Sequence, residues 1–140
     1  MKKSKTKIGL LIVIFTLIII CFFILYFKSM PLIQTPNECS IIDIQHNVDE
    51  ELIEINDYDS NAVISLLSKC SKKRTLDKAY APLPNDNGGY VIILYDNDEL
   101  LHIRLGEDSV CDSGHGTTIY NIVYQGDIKK VLQKVLNIKS

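Results

Sequence analysis

Residues 8 to 27, IGLLIVIFTLIIICFFILYF, contain no charged side chain. A helix that packs on a soluble core keeps a polar face, and this run has none. At about 1.5 Å of rise per residue it spans roughly 30 Å, the thickness of a bilayer's hydrocarbon core. Sixteen of the twenty residues are Leu, Ile, Val or Phe. On an insertion scale they favour the membrane by roughly 6 kcal/mol.

Other absences narrow what this segment is. No small-x-small cleavage site follows it; the next residues are Lys28, Ser29, Met30 and Pro31. The run also exceeds the roughly 7–15 apolar residues of a cleaved signal. A lipoprotein signal needs a small residue before its cysteine, but Ile20 precedes Cys21, and Phe22 and Phe23 continue the apolar run. Cys21 therefore reads as a small apolar residue in a lipid-facing helix. The segment has one glycine, Gly9, and no small-xxx-small pair, so nothing argues for helix dimerisation. A retained signal anchor over residues 8–27 is the expectation.

No lysine or arginine lies between Lys28 and Lys69, whereas Lys2, Lys3, Lys5 and Lys7 precede the span. The positive-inside rule then keeps residues 1–7 in the cytoplasm as a basic tail and sends the remainder across the cell membrane. Tyr26 stands where an interfacial aromatic belongs. From Ser29 onward there are 10 basic side chains against 17 acidic ones, a balance of −7. Such a domain is a poor partner for nucleic acid or anionic lipid.

Catalytic and metal-binding patterns are also missing. There is no GxSxG elbow. The cluster Asp96, Asn97, Asp98, Glu99 places Leu100 and Leu101 where a calcium loop needs an oxygen ligand and a glycine, so it reads as a hairpin turn. No cofactor motif is present. Outside the span lie three cysteines, Cys39, Cys70 and Cys111. An odd number allows at most one internal disulfide, and no pair is favoured. Their spacing matches no zinc or redox motif, and buried free thiols are the simplest reading.

Residues 28–38 hold two prolines and no periodicity, and read as a tether. Residues 39–140 form the extracytoplasmic domain. CSIIDIQH alternates as a half-buried strand, and ELIEI follows as its hairpin partner. Asp57, Asp59 or Ser60 can cap a helix whose Val63, Leu66, Leu67 and Cys70 fall on one face. KKRTLDKAYAP reads as a lysine-guarded edge strand ended by Pro82. YVIILY reads as a central strand covered on both faces, and ELLHIRL as its hairpin partner, with Leu101, Ile103 and Leu105 inward and His102 and Arg104 outward. TTIYNIVY alternates again, with Tyr120, Ile122 and Tyr124 on one face. Gly126 and Asp127 begin a last amphipathic helix with Ile128, Val131, Leu132, Val135 and Leu136 on its apolar side. The order is β-β-α-β-β-β-β-α, an α+β fold: an antiparallel sheet with two helices packed on one face.

One stretch raises a chemical question. VCDSGHGTTIY, residues 110 to 120, gathers Cys111, Asp112, Ser113 and His115. A catalytic dyad needs its members held rigidly together, and active sites usually draw them from separated segments. Gly114 and Gly116 supply positive φ, and Asp112 and Ser113 bond locally, which is what a connection between strands requires. A loop without chemistry is expected. As an interaction surface the candidates are His102, Arg104, His115 and Tyr120, with the domain's many tyrosines adding interface-prone aromatic area.

From VIILYDNDELLHIRL through GHGTTIYNIVYQGDIKKVLQKVL the chain resembles small exported Gram-positive envelope proteins of the YhfM-like kind. The shared features are a central hairpin, a polar loop, a T-x-Y strand (Thr118 to Tyr120) and a terminal amphipathic helix. The chain departs by lacking a lipobox. The resemblance implies envelope location and rough fold, and carries over no site residue.

The expected function is a membrane-anchored, non-catalytic binding module of the bacterial cell envelope, such as an immunity protein or an accessory subunit of a membrane complex. The alternative is a small envelope enzyme or thiol protein using Cys111 and His115.

Overall fold

A computed structural model of the chain describes residues 2–75, 87–106, 108–113 and 119–137. The first element is α1, Lys2–Tyr26, an α-helix. Its stretch Lys7–Tyr26 has a mean hydropathy of 3.4, and none of it is buried in the domain. It is long and apolar enough to cross a membrane. Its large apolar side chains are 40–71% exposed. Its one hydroxyl in mid-helix is satisfied internally: Thr16 Oγ1 donates to the Ile12 carbonyl at 2.9 Å, a bond that would also satisfy it in hydrocarbon.

The domain is an α+β structure built on one eight-stranded antiparallel sheet. Its strands are β1 (Met30–Pro31), β2 (Cys39–Val48), β3 (Glu51–Glu54), β4 (Ser71–Arg74), β5 (Tyr90–Asp96), β6 (Glu99–Leu105), β7 (Val110–Ser113) and β8 (Ile119–Val123). Two helices, α2 (Ser60–Leu67) and α3 (Ile128–Val135), complete it. The spatial order is β1-β4-β8-β7-β6-β5-β2-β3.

Register aligns the core. Ile44, Ile92, Ile103 and Cys111 stand opposite one another across β2, β5, β6 and β7. All four are fully buried. Period-2 alternation puts Tyr90, Leu94, Leu101 and Leu105 on the same face. Against it pack Val63, Leu66, Leu67 and Cys70 from α2 and its C-terminal end, and Ile128, Leu132 and Leu136 from α3. Both helices cover one face, as the 3.6-residue spacing of their apolar residues requires. Of the three cap candidates the fold uses Asp59, whose carboxylate accepts from the N–H groups of Asn61 and Ala62. Asp127 caps α3 by accepting from Lys130 N–H.

Two strands lie where none was expected. The loop read over GEDSVCDSGHG contains β7, which fills the place between β6 and β8. Four residues of β-strand are too short for periodicity to reveal beside Asp, Ser and Gly. The second is β1, inside the presumed tether, which pairs with β4. Leu32 and Ile33, directly after it, are 0% and 2% exposed and belong to the core. A strand is observed over Ser71–Arg74, but it is not the expected lysine-guarded edge: β1 pairs with its outer side and β8 with its inner side, and Lys72 is 3% exposed; the expected continuation through Pro82 lies outside the described residues.

Asp96 locks the supposed tether to the sheet. Its carboxylate accepts from Gln34 N–H at 2.6 Å, Thr35 N–H at 2.9 Å and the Thr35 hydroxyl at 2.6 Å. Burial pushes its pKa up, but these bonds and the Lys72 charge outweigh burial and leave it below the usual 3.8. A carboxyl with a depressed folded pKa stabilises the fold above its unfolded pKa, and that contribution is lost as pH falls through the folded value. Urea midpoints should therefore fall below pH 3.8 partly through this clamp. Asp96→Asn should be less stable than the parent at neutral pH and should flatten that acid limb. An unchanged limb would mean that other carboxylates cause it.

Candidate functional site

The helix-free face of the sheet carries the one cluster of paired ionisable side chains buried in the fold among the described residues. Alternation on β6 turns His102 and Arg104 away from the helices. On the neighbouring β7, Asp112 stands directly opposite His102 and diagonal to Arg104. Cross-strand and diagonal neighbours on one face come within reach of each other's side chains. Asp112 uses both oxygens: His102 Nδ1 lies 3.2 Å from Oδ1, and an Arg104 guanidinium nitrogen donates to Oδ2.

Burial grades across the cluster. The Arg104 and Asp112 side chains are 5% and 10% exposed, and His102 is 37% exposed. A guanidinium and a carboxylate out of water need each other, because desolvation penalises either alone. Val91 and Val110 flank Arg104, and Ile93 and Ile119 extend the row of His102 and Asp112. The imidazole is the outward end of the cluster. With Nδ1 donating to Asp112, Nε2 is left as an acceptor toward solvent. The arrangement can orient an imidazole for a hydrogen-bond donor, and it places a guanidinium and an imidazole on one carboxylate.

The other candidate residues are placed differently. Arg104 was expected to be part of an exposed surface, yet the whole residue is only 4% exposed. Its neighbour β7, unforeseen from the sequence, supplies both its counterion and its cover. Tyr120 lies on the opposite face: it stands opposite the core residue Cys111, and Lys72 Nζ lies 5.3 Å from its ring centroid. His115 lies outside the described residues. Tyrosines do not gather on one surface: Tyr90 is fully buried and stacks on His46 at 4.4 Å, whereas Tyr95 on the other face is 43% exposed. Asp112 is the member that sequence reasoning assigned to a loop. The polar i, i+2 pair His102 and Arg104 on an otherwise apolar strand was the available signal that a counterion lay nearby.

Cys111 is adjacent to Asp112 in sequence and on the reverse side of the sheet. It is 0% exposed, and burial is the main cause that pushes its thiol pKa up to about 12. Cys39 and Cys70 are likewise raised to about 11 by burial, and all four cysteines are free. A nucleophilic thiol needs the opposite environment, electropositive and accessible. Cys70 and Cys111 should therefore resist a membrane-impermeant maleimide in the native protein and react only after unfolding. Fast native labelling of a Cys39→Ser, Cys70→Ser variant would contradict the burial of Cys111. The described residues contain no group of three His, Cys, Asp or Glu side chains arranged to hold a metal ion.

Comparison with family models, curated proteins and solved structures returns no match to this chain. The functional reading therefore rests on its own residues.

Proposed function

We propose that the protein is a single-pass membrane protein with its N-terminus in the cytoplasm, displaying the α+β domain outside the cell membrane, where it binds another envelope or membrane protein. What carries this reading is the relation of α1 to the domain. No residue of the span is buried against the domain, and five residues separate its end at Tyr26 from the core residue Leu32. Arg74 Cζ lies 4.7 Å from the Tyr26 ring centroid, at the membrane-proximal end of the sheet. A domain joined this closely works within a few nanometres of the bilayer, where its partners must also lie.

The orientation follows from the four lysines ahead of the span and the long stretch without basic residues beyond it. The domain is read as non-catalytic. Among the described residues His102 bonds to no hydroxyl or thiol, and the thiol alternative loses support with the burial of Cys111. An immunity protein or an accessory subunit of a membrane complex fits these features.

Protease added to intact protoplasts tests the topology. Digestion of the domain with survival of a fragment containing α1 is the expected result. Complete protection before lysis, with digestion afterwards, would reverse the orientation and remove the extracytoplasmic reading. Binding is tested by crosslinking the anchored protein in cells, where one saturable partner that disappears when residues 39–140 are deleted is expected.

A further inference from the structure

We infer that the free edge of β3 is a docking site where a partner protein adds an extended, Lys- or Arg-bearing segment as a further strand. This rests on the binding-module reading and names its site and the chemistry of its partner.

The sheet ends in β1 and β3. β1 has two residues, one of them Pro31, and it follows directly on the membrane helix. Proline and shortness are the usual protections of a sheet edge. β3 has neither. It pairs with β2 from Val48 opposite Glu51 to Gln45 opposite Glu54, and no described residue pairs with its other side.

The hairpin turn sets which backbone groups face outward. Asp49 and Glu50 have φ of 52° and 69°, which makes this a two-residue turn of type I′. In such a hairpin the flanking residues, Val48 and Glu51, exchange both hydrogen bonds, and the bonded pairs then alternate. Ile53 and Ile55 bond inward, and Ile55 N–H does donate to the Ile44 carbonyl at 2.8 Å. Leu52 and Glu54 therefore turn their N–H and C=O groups to the open side, two donors and two acceptors spaced for another strand. All four residues of β3 are exposed, with Leu52 at 40% and Ile53 at 50%. Alternate side chains can thus grip an added strand from either face, the mode known as β-augmentation.

The edge is held in place before any partner arrives. Asn87 Oδ1 accepts from Asp49 N–H at 3.0 Å, and Asn87 Nδ2 donates to Asp49 Oδ1 at 3.1 Å. Asn47 N–H and C=O also bond to Gly89 and Gly88. A preorganised edge lowers the ordering cost of binding.

Charge selects the occupant. Residues 29–68 contain eight Asp and Glu and no Lys or Arg. Glu51 and Glu54 lie on the strand itself. At its C-terminal end Glu54, Asp57 and Asp59 line a groove together with Ile55, Tyr58 and Leu136. A second copy is disfavoured, because it would bring another domain with the same excess of acidic residues, its own Glu51 and Glu54 included, against this edge. A segment with a basic and an apolar residue on each of its faces meets Glu51 and Glu54 with lysine or arginine and covers Leu52 and Ile53.

The test uses the full-length protein in lipid nanodiscs and a synthetic decapeptide of the repeat Lys-Lys-Val-Val, which places both residue types on each face of a strand. The glutamate–valine analogue is the control. Saturable binding of the lysine peptide is expected, with amide exchange at Leu52 and Glu54 slowed more than tenfold. Leu52→Pro removes an outward N–H without touching the β2 ladder, and should weaken binding by about tenfold or more. Glu51→Lys with Glu54→Lys keeps the strand and should reverse the preference between the two peptides. No binding of the lysine peptide, or binding that neither variant alters, overturns the proposal. So does binding without protection at Leu52 and Glu54.

A photo-crosslinker in place of Leu52 or of Tyr95 in cells separates this inference from its parent. A crosslink from position 52 that maps to a basic, extended segment supports the edge. Capture from position 95 alone refutes the edge and leaves the binding module standing. Capture from neither refutes the module as well.

Discussion

Replacing Asp112 by Ala should destabilise the domain by about 3 kcal/mol, the usual cost of removing one member of a buried ion pair. Arg104 is the reason. It is 4% exposed, and the variant deprives its guanidinium of the carboxylate while the charge stays out of water. Replacing both members, Arg104→Met with Asp112→Leu, should recover most of the loss, since a well-packed apolar pair avoids desolvation altogether. His102→Ala should cost below about 1 kcal/mol, because its side chain is 37% exposed and solvent screens its contact with Asp112. Urea unfolding of the full-length protein in detergent, followed by far-UV circular dichroism, gives all three values. If Asp112→Ala costs less than His102→Ala, the Arg104–Asp112 pair is not what secures this face. A wide gap in the expected direction would also divide the cluster. Arg104 and Asp112 would be structural, and His102 would be free for recognition at little cost to the fold.

Leu32→Ala should cost about 2–5 kcal/mol, the range for deleting a buried leucine side chain. The residue lies six positions beyond the end of α1, in a stretch whose composition resembles a linker, yet it is fully buried. Leu32 N–H also donates to the Cys70 carbonyl at 3.0 Å, at the end of α2. A truly flexible tether would tolerate this change within about 0.5 kcal/mol, as surface positions do. Gln34→Ala makes a matched control, because Gln34 contributes its backbone N–H to Asp96, which alanine retains. Equal unfolding midpoints for Leu32→Ala and the parent would return residues 28–38 to the status of a linker. The expected loss would instead make the segment after α1 part of the domain, so that α1 and the sheet are joined with little slack.

Much of this protein was legible in its sequence, and the reasons are local. The uncharged run of residues 8–27 declares a helix fit for a membrane because bilayer thickness and helix rise fix the length. Alternation in CSIIDIQH and ELLHIRL, and 3.6-residue spacing around Val63 and Leu132, place strands and helices because each element must bury one face. Asp59 and Asp127 mark helix starts because an oxygen there satisfies free backbone N–H groups.

What the tertiary structure decided is of another kind. VCDS becomes a strand because β6 and β8 present two ladders of unpaired backbone groups that it can bridge, a fact no four-residue window contains. Arg104 and Asp112, eight residues apart, become a buried pair only through that bridging. Cys111 and Asp112 are neighbours in a reactive-looking stretch, but pleating puts one in the core and the other on the opposite face. Leu32 and Ile33 join the core because Asp96, more than sixty residues away, captures the backbone that follows them. Local periodicity reports which face a residue occupies; only the pairing of distant strands reports what it meets there.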